Sequence, residues 1–207
     1  MIFLDLLGVD EAGRGSVLGP MVSAGVIVPE KMEKVLERMG VKDSKRLAPH
    51  RRTILSRKLR KMFEYDMIVI SAREIDEMRA DGINLNEIEK NAMEELILRL
   101  KPEKAIVDAV DVKAERFQEN LRNDTGFDII AEHKADDNYI QVSAASIIAK
   151  AERDAQIEEI NKNFIKQGGI GSGYPSDPTT KKFLTNYTYD EMPDFVRRSW
   201  NTIAKMK

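Results

Sequence analysis

The apolar positions along the chain fall into two rhythms. Residues 4–9 form a nearly unbroken, β-prone run, and residues 22–28 form a second that Pro29 closes. Between them, Gly13-Arg14-Gly15-Ser16-Val17-Leu18-Gly19-Pro20 has turn chemistry, so the pattern predicts two strands joined by a glycine-rich turn. Shorter runs at 65–72, 105–107 and 127–131 predict further strands. Elsewhere the period is helical. Pro49 suits the first turn of a helix in which Leu55, Leu59, Met62 and Phe63 recur on one side. Asn86 with Glu89 has the form of a capping box, and Ile88, Ala92, Met93, Leu96, Ile97 and Leu100 continue as one stripe that Pro102 stops. A third long helix is expected over residues 142–164, where Ser143, Ala144, Ala145, Ser146 and Ala149 are small enough to let it approach a sheet closely. Strands first, then helices alternating with strands, predict an α/β domain with a mixed sheet.

Near Gln167 the pattern breaks. Residues 168–178, Gly168-Gly169-Ile170-Gly171-Ser172-Gly173-Tyr174-Pro175-Ser176-Asp177-Pro178, predict a long loop, and beyond it Val196, Trp200 and Ile203 fall on one helical face. The expected organisation is one domain over 1–167, then a glycine-rich loop with a small helical appendage over 168–207. No internal repeat or low-complexity segment interrupts this plan.

Composition narrows the function classes. A chain of 207 residues with 42% apolar and 33% charged residues can bury a core, and its charge exceeds the usual level of about 25%. No apolar run reaches the roughly 18 residues of a membrane span. Residues 1–7 lack a basic leader and carry Asp5, so they predict a strand rather than a signal peptide. The absence of cysteine excludes disulfides, thiolate metal sites and thiol nucleophiles. It suits a cytosolic protein and, with the high charge, a heat-tolerant one. The net charge is −2, yet residues 42–62 hold nine Lys or Arg against Asp43 alone, a local balance of +8. Such a run is either a solvated helix face or a footprint for a polyanion.

The chemistry rests on carboxylates at strand ends. Asp10-Glu11 closes the first run, Asp108 closes the 105–107 run, and Asp136 stands ahead of the third long helix. Ligand sites in α/β sheets form beyond the strand ends. If the two strands are neighbours, Asp10 and Asp108 face each other, and a cation would offset their repulsion. With no Cys and only His50 and His133, the ligand set is oxygen, which favours Mg²⁺ or Mn²⁺ over zinc. Each acid alone is weak evidence, since a strand-end Asp is often a turn residue or helix cap. Spacing does not reject Asp111, Asp124, Asp128 or Asp137.

The motifs in order carry a resemblance. Gly8-Val9-Asp10-Glu11-Ala12-Gly13-Arg14-Gly15 with Gly19-Pro20, then Lys42-Asp43-Ser44-Lys45, then His133-Lys134-Ala135-Asp136 with Val142-Ser143-Ala144-Ala145-Ser146-Ile147-Ile148-Ala149-Lys150, and finally Gly171-Ser172-Gly173-Tyr174-Pro175-Ser176-Asp177 resemble the ribonuclease HII family, archaeal branch. The resemblance implies a ribonuclease H-like mixed five-stranded sheet flanked by helices. It implies hydrolysis of the RNA strand of RNA–DNA hybrids, and cleavage at ribonucleotides embedded in duplex DNA, by two Mg²⁺ or Mn²⁺ ions, leaving a 5′-phosphate and a 3′-hydroxyl. By position, Asp10, Glu11, Asp108 and Asp136 match the acidic metal site, with Asp111 as the fallback for Asp108. Gly13, Arg14 and Gly15 match the turn that recognises the ribose 2′-hydroxyl, which separates RNA from DNA. Tyr174 matches the tyrosine that stacks on the sugar at an RNA-to-DNA junction, and Lys45 a phosphate contact. The duplex backbone then becomes the partner of the basic segment. His133 is read equally as a structural hydrogen-bonding residue.

Successive side chains on a strand point to opposite faces, so Asp10 and Glu11 can both serve a site through their side chains only if the chain bends at Glu11. That bend is expected, with the Glu11 carbonyl as a further donor. A monomer is expected. Some family members dock on a sliding clamp through a C-terminal motif, of which Trp200-Asn201-Thr202-Ile203-Ala204-Lys205-Met206-Lys207 shows no convincing copy. The competing readings are another two-metal nuclease, such as a junction resolvase or exonuclease, and a binding module without catalysis, which the presence of all four acids opposes.

Overall fold

The computed structural model describes residues 4–207, leaving aside the side chain of Asp43. Residues 1–3 of the expected N-terminal strand lie outside the described residues. The elements run β1 (Asp5–Ala12), β2 (Met21–Pro29), α1 (Glu33–Arg38), α2 (Pro49–Met62), β3 (Tyr65–Ile70), α3 (Ala72–Ala80), α4 (Leu85–Leu100), β4 (Lys104–Asp108), α5 (Ala114–Thr125), β5 (Ile129–Glu132), α6 (Ala135–Asn138), α7 (Ile140–Lys162), α8 (Pro178–Leu184) and α9 (Asn201–Ala204). They divide into two compact units. The first takes Met1–Ala12, Val22–Ile68 and Asn86–Ala151, the second Gly13–Met21, Val69–Leu85 and Glu152–Lys207.

The first unit is built on a five-stranded mixed sheet of order β3-β2-β1-β4-β5. β1 pairs antiparallel with β2 and parallel with β4, which pairs parallel with β5. Alternation sorts the side chains of β1. Leu7 and Val9 point into a core with Met93, Leu96 and Ile97 of α4 and Phe117 and Leu121 of α5. Leu6, two residues before Gly8, points the other way and packs with Ile106 of β4, Ala135 of α6 and Val142 of α7. Gly8 is there because α7 comes so close. A Cβ at Gly8 would stand 2.1 Å from the main-chain carbon of Gln141 and 2.5 Å from the nitrogen of Val142. Ala144, Ala145 and Ala149 of α7 share a further core with Val22, Val26 and Val28 of β2 and with Leu55 and Leu59 of α2.

Three readings of the pattern are corrected here. The strand expected over 65–72 ends at Ile70, because the Ser71 hydroxyl and the Glu74 carboxylate form a capping box that starts α3. α4 begins at Leu85, so Asn86 sits inside the first turn instead of at the cap. α5, α1 and α8 add helices the periodicity did not single out.

The second unit has its own core. Val17, Leu18, Ile157, Ile170, Phe183, Leu184, Met192, Val196 and Ile203 are buried together, with Trp200 packed against them. The single helical face expected for Val196, Trp200 and Ile203 is not formed; only α9 is helical. The three meet because turns bring them in, and Val196 bridges to Leu18 as isolated strand pairing.

Candidate functional site

The acidic residues of the first unit gather at the carboxyl ends of the central strands. Asp10 and Asp108 each follow the last registered pair of the β1–β4 ladder, Val9 with Val107. Asp10 lies two residues past Gly8 and Asp108 two past Ile106, so both project from the face that carries α6 and α7. Asp10 is 5% exposed. Its Oδ1 accepts the Glu11 N–H at 2.8 Å. Burial, then the charge of Glu11, hold its carboxyl well above the ordinary range, against the pull of the Ser146 hydroxyl and Lys150. Lys150 Nζ in turn donates to Ser146 Oγ at 2.7 Å, a pair one helical turn apart on α7.

Asp108 receives the Ala135 N–H at 3.2 Å. Burial and then the nearby Asp136 charge raise its pKa, while the N–H groups of Ala135 and Lys134 lower it. Lys134 adopts a left-handed conformation, φ 57°, which turns the chain into the short α6. Asp136, 5% exposed, follows at once, and its carbonyl accepts the Ser143 hydroxyl. Lys45 Nζ stands 3.1 Å from Asp136 Oδ1 and 2.6 Å from Asp137 Oδ1. The hydrogen bond to Asp137 does most to raise the Lys45 pKa.

The bend expected at Glu11 is absent. β1 stays paired through Ala12, with Glu11 opposite Ser23 and Ala12 opposite Val22. The antiparallel ladder with β2 holds the extended geometry, and the turn waits for Gly13, φ 84°. Asp10 and Glu11 therefore face opposite sides of the sheet. Among the described residues, no three His, Asp or Glu side chains stand close enough to hold a metal ion as they are placed. Asp10 and Asp108 carry charge that burial leaves poorly compensated, and the donors are all oxygen, so these residues suit a hard divalent cation.

Three of the four competing acids are engaged elsewhere, while Asp137 stays at the site and shares Lys45 with Asp136. Asp111 is tied to Arg116 on the surface, Asp124 to Lys90, and Asp128 to Lys104 and Arg122. His133 is exposed, with Nε2 3.3 Å from the Val112 carbonyl, in keeping with a structural hydrogen bond.

In the second unit the glycine turn and the glycine–tyrosine loop lie side by side. The N–H groups of Val17 and Leu18 both donate to the Gly173 carbonyl, at 2.8 and 3.1 Å. Gly13 has no room for a side chain, since a Cβ would meet Arg153 at 2.6 Å and the Pro20 carbonyl oxygen at 2.7 Å. Gly15 is exposed and faces open space. Tyr174 is 37% exposed, its ring 4.6 Å from the Arg153 guanidinium carbon. The buried Arg197 braces the turn from within, its Nε donating to the Gly19 carbonyl and Nη1 to that of Arg14. Arg153 and Arg197 were not singled out from sequence, and Ser146 and Lys150 were read there as parts of a motif without a role at the site. Ser146 and Lys150 carried a signal in their four-residue spacing; the two arginines carried none, because nothing local marks a buried charge.

The ribonuclease HII family model matches residues 7–203. Ribonuclease HII of Methanobrevibacter smithii is 78% identical over 204 residues, covering 99% of each chain. That of Methanothermobacter thermautotrophicus is 55% identical, over 99% of this chain and all of the other. Among solved structures, the PCNA–RNase HII complex of Archaeoglobus fulgidus contains a chain similar to this one, with TM-score 0.88 and 44% identity over 96% of both.

Proposed function

The chain belongs to the ribonuclease HII family and is a ribonuclease H hydrolase, and on that premise we propose that it cuts the RNA strand of RNA–DNA hybrids and cleaves at single ribonucleotides embedded in duplex DNA. The observation that carries this reading is the placement of buried Asp10 and half-buried Asp108 on one face of adjacent parallel strands, just past their shared ladder, with Asp136 beside Asp108. These three side chains, with Glu11 through its main-chain carbonyl, would hold two Mg²⁺ or Mn²⁺ ions. When bound, such ions polarise a phosphodiester and lower the pKa of water, and the products are a 5′-phosphate and a 3′-hydroxyl.

The other groups position. Ser146 and Lys150 orient the Asp10 carboxylate, and the Ala135 N–H orients that of Asp108. Lys45 neutralises Asp136 and Asp137 until a substrate phosphate takes its ammonium. Arg51, Arg57, Lys58 and Lys61 on the exposed side of α2 continue the cationic track along the duplex backbone. In the second unit, Gly13, Arg14 and Gly15 read the 2′-hydroxyl, and Tyr174 stacks on the sugar at the junction.

We extend the proposal to action as a cytosolic monomer with a PCNA-like clamp as a partner. Among the described residues, no helix is long and apolar enough to cross a membrane. Ile203 is buried in the core of its unit, so the C-terminal turn serves the fold first.

The decisive assay compares one duplex carrying a single ribonucleotide with the same duplex in DNA alone, each with Mg²⁺, with Mn²⁺ and with a chelator. Cleavage of the first duplex only, and only with metal, is expected. Equal cleavage of both would make the chain a general nuclease and end this reading.

A further inference from the structure

Arg153 is 4% exposed, yet it lies between the two loops of the second unit that face solvent. Its guanidinium carbon is 4.6 Å from the centre of the Tyr174 ring. Its Nη2 donates to the Ser172 carbonyl at 2.9 Å. Its stem fills the space under the glycine turn, where a Cβ on Gly13 would stand 2.6 Å from both Cδ and Nε. A Cβ on Gly173 would stand 3.0 Å from Nη2. Gly13 and Gly173 thus lack side chains where this one arginine passes. Its Nε is buried without a hydrogen-bond partner among the described residues, and burial lowers its pKa from the ordinary arginine value.

Packing alone does not account for this residue. A buried, incompletely bonded guanidinium costs stability, and an unbranched apolar side chain would fill the same space without that cost. What arginine adds is a flat cation that holds an aromatic ring face at a set height, and a stem against which the turn rests. The main chains of the two loops are already tied through Val17, Leu18 and Gly173. The arginine is therefore free to govern the ring rather than the loop.

We propose that Arg153 is a positioning residue for ribonucleotide selection, fixing the Tyr174 ring relative to the Gly13-Arg14-Gly15 turn so that the two read the same nucleotide. This rests on the assignment of those residues to substrate binding made above. Arg153 itself touches no substrate; it acts through Tyr174.

The test is a double-mutant cycle on the duplex with one embedded ribonucleotide. Arg153→Met is expected to lower kcat/KM by about tenfold or more, since misplacing a positioning group by an ångström costs on that order. Arg153→Lys is expected to restore little, because an ammonium keeps the charge and loses the plane. In a Tyr174→Ala background, Arg153→Met should change kcat/KM by less than about twofold, as expected when two residues act as a unit. Equal losses in both backgrounds would overturn the proposal, as would unchanged kinetics in Arg153→Met. If Arg153→Met does not fold, the Lys variant carries the cycle; if neither folds by near-UV circular dichroism, the arginine serves the fold and the proposal fails. Should the wild-type protein cut long hybrids and spare the embedded ribonucleotide, the substrate reading fails separately, and the cycle is run on the hybrid.

Discussion

Asp10 and Asp108 stand just past the ladder that pairs their two strands, and each is oriented by groups on the regular elements packed behind it: Ser146 and Lys150 on α7, the Ala135 N–H at the start of α6. Gly13, Gly15 and Tyr174 lie on loops, and their supports come from inside the second unit, Arg153 beneath and Arg197 within. The first arrangement takes its precision from hydrogen-bonded ladders, which tolerate almost no displacement. The second takes it from two buried cations and a pair of main-chain hydrogen bonds, which permit small adjustment. On the proposed function, catalytic carboxylates gain from the first kind of support, and a surface that accepts a nucleotide gains from the second.

The largest expected effect tests the rigid side of that contrast. Asp136→Asn keeps shape and removes charge, so cleavage should fall by about 10³-fold or more while hybrid binding persists. Turnover at the wild-type rate would remove Asp136 from the site. Next come two glycines with different neighbours. Gly8→Ala drives a methyl into the α7 main chain, which cannot step aside, and should cost about 3 kcal/mol in urea denaturation. Gly13→Ala meets a movable arginine stem, the Pro20 carbonyl and an unfavourable φ of 84°, so a loss of about 2 kcal/mol is expected, with reduced cleavage at embedded ribonucleotides. If Gly13→Ala proved the costlier, the second unit would be the more rigid and the contrast would invert. Gly15→Ala, in open space, should leave the melting temperature near that of wild type and still weaken ribonucleotide cleavage.

Smaller effects lie at the surface. Replacing Arg51, Arg57, Lys58 and Lys61 with Gln should reduce the slope of log Kd against log salt by about 1 to 3, at nearly unchanged kcat. An unchanged slope would return the α2 face to plain solvation. The smallest effect concerns Asp177, which caps α8 through the Thr179 N–H at 2.8 Å. The Ser172 hydroxyl, then the Ser172 N–H, hold its carboxyl down to about 2. A depressed carboxylate stabilises above its unfolded pKa of about 3.9 and loses that contribution as pH falls through its folded value. The wild-type advantage over Asp177→Ala should therefore be about 1 kcal/mol at neutral pH and disappear as pH drops from about 4 to about 2. An advantage that persists at pH 2 would mean the cap works without its charge.

Much of this protein was legible before any coordinates. The five strands and the three long helices, α2, α4 and α7, follow from period, Pro and Gly to within two residues at the helix ends, because burial on one face leaves a repeating trace in the chain. The strand-end carboxylates were legible too, and in a chain with no cysteine and two histidines any ligand set they form is mainly oxygen. Their standing as a group came from motif order rather than spacing.

What the sequence determined by itself, then, is local: element type, turn positions, family and candidate chemistry. The tertiary structure alone decided that β1 runs unbroken past Glu11, because the neighbouring strand β2 supplies the hydrogen bonds that keep it extended. It alone showed Lys45 bridging Asp136 and Asp137 across some ninety residues of chain, and Arg153 under Gly13 and Tyr174. Such contacts join residues far apart in sequence, and a buried charge leaves no periodic mark, so only the folded chain could reveal what holds the glycine turn and the Tyr174 loop in place.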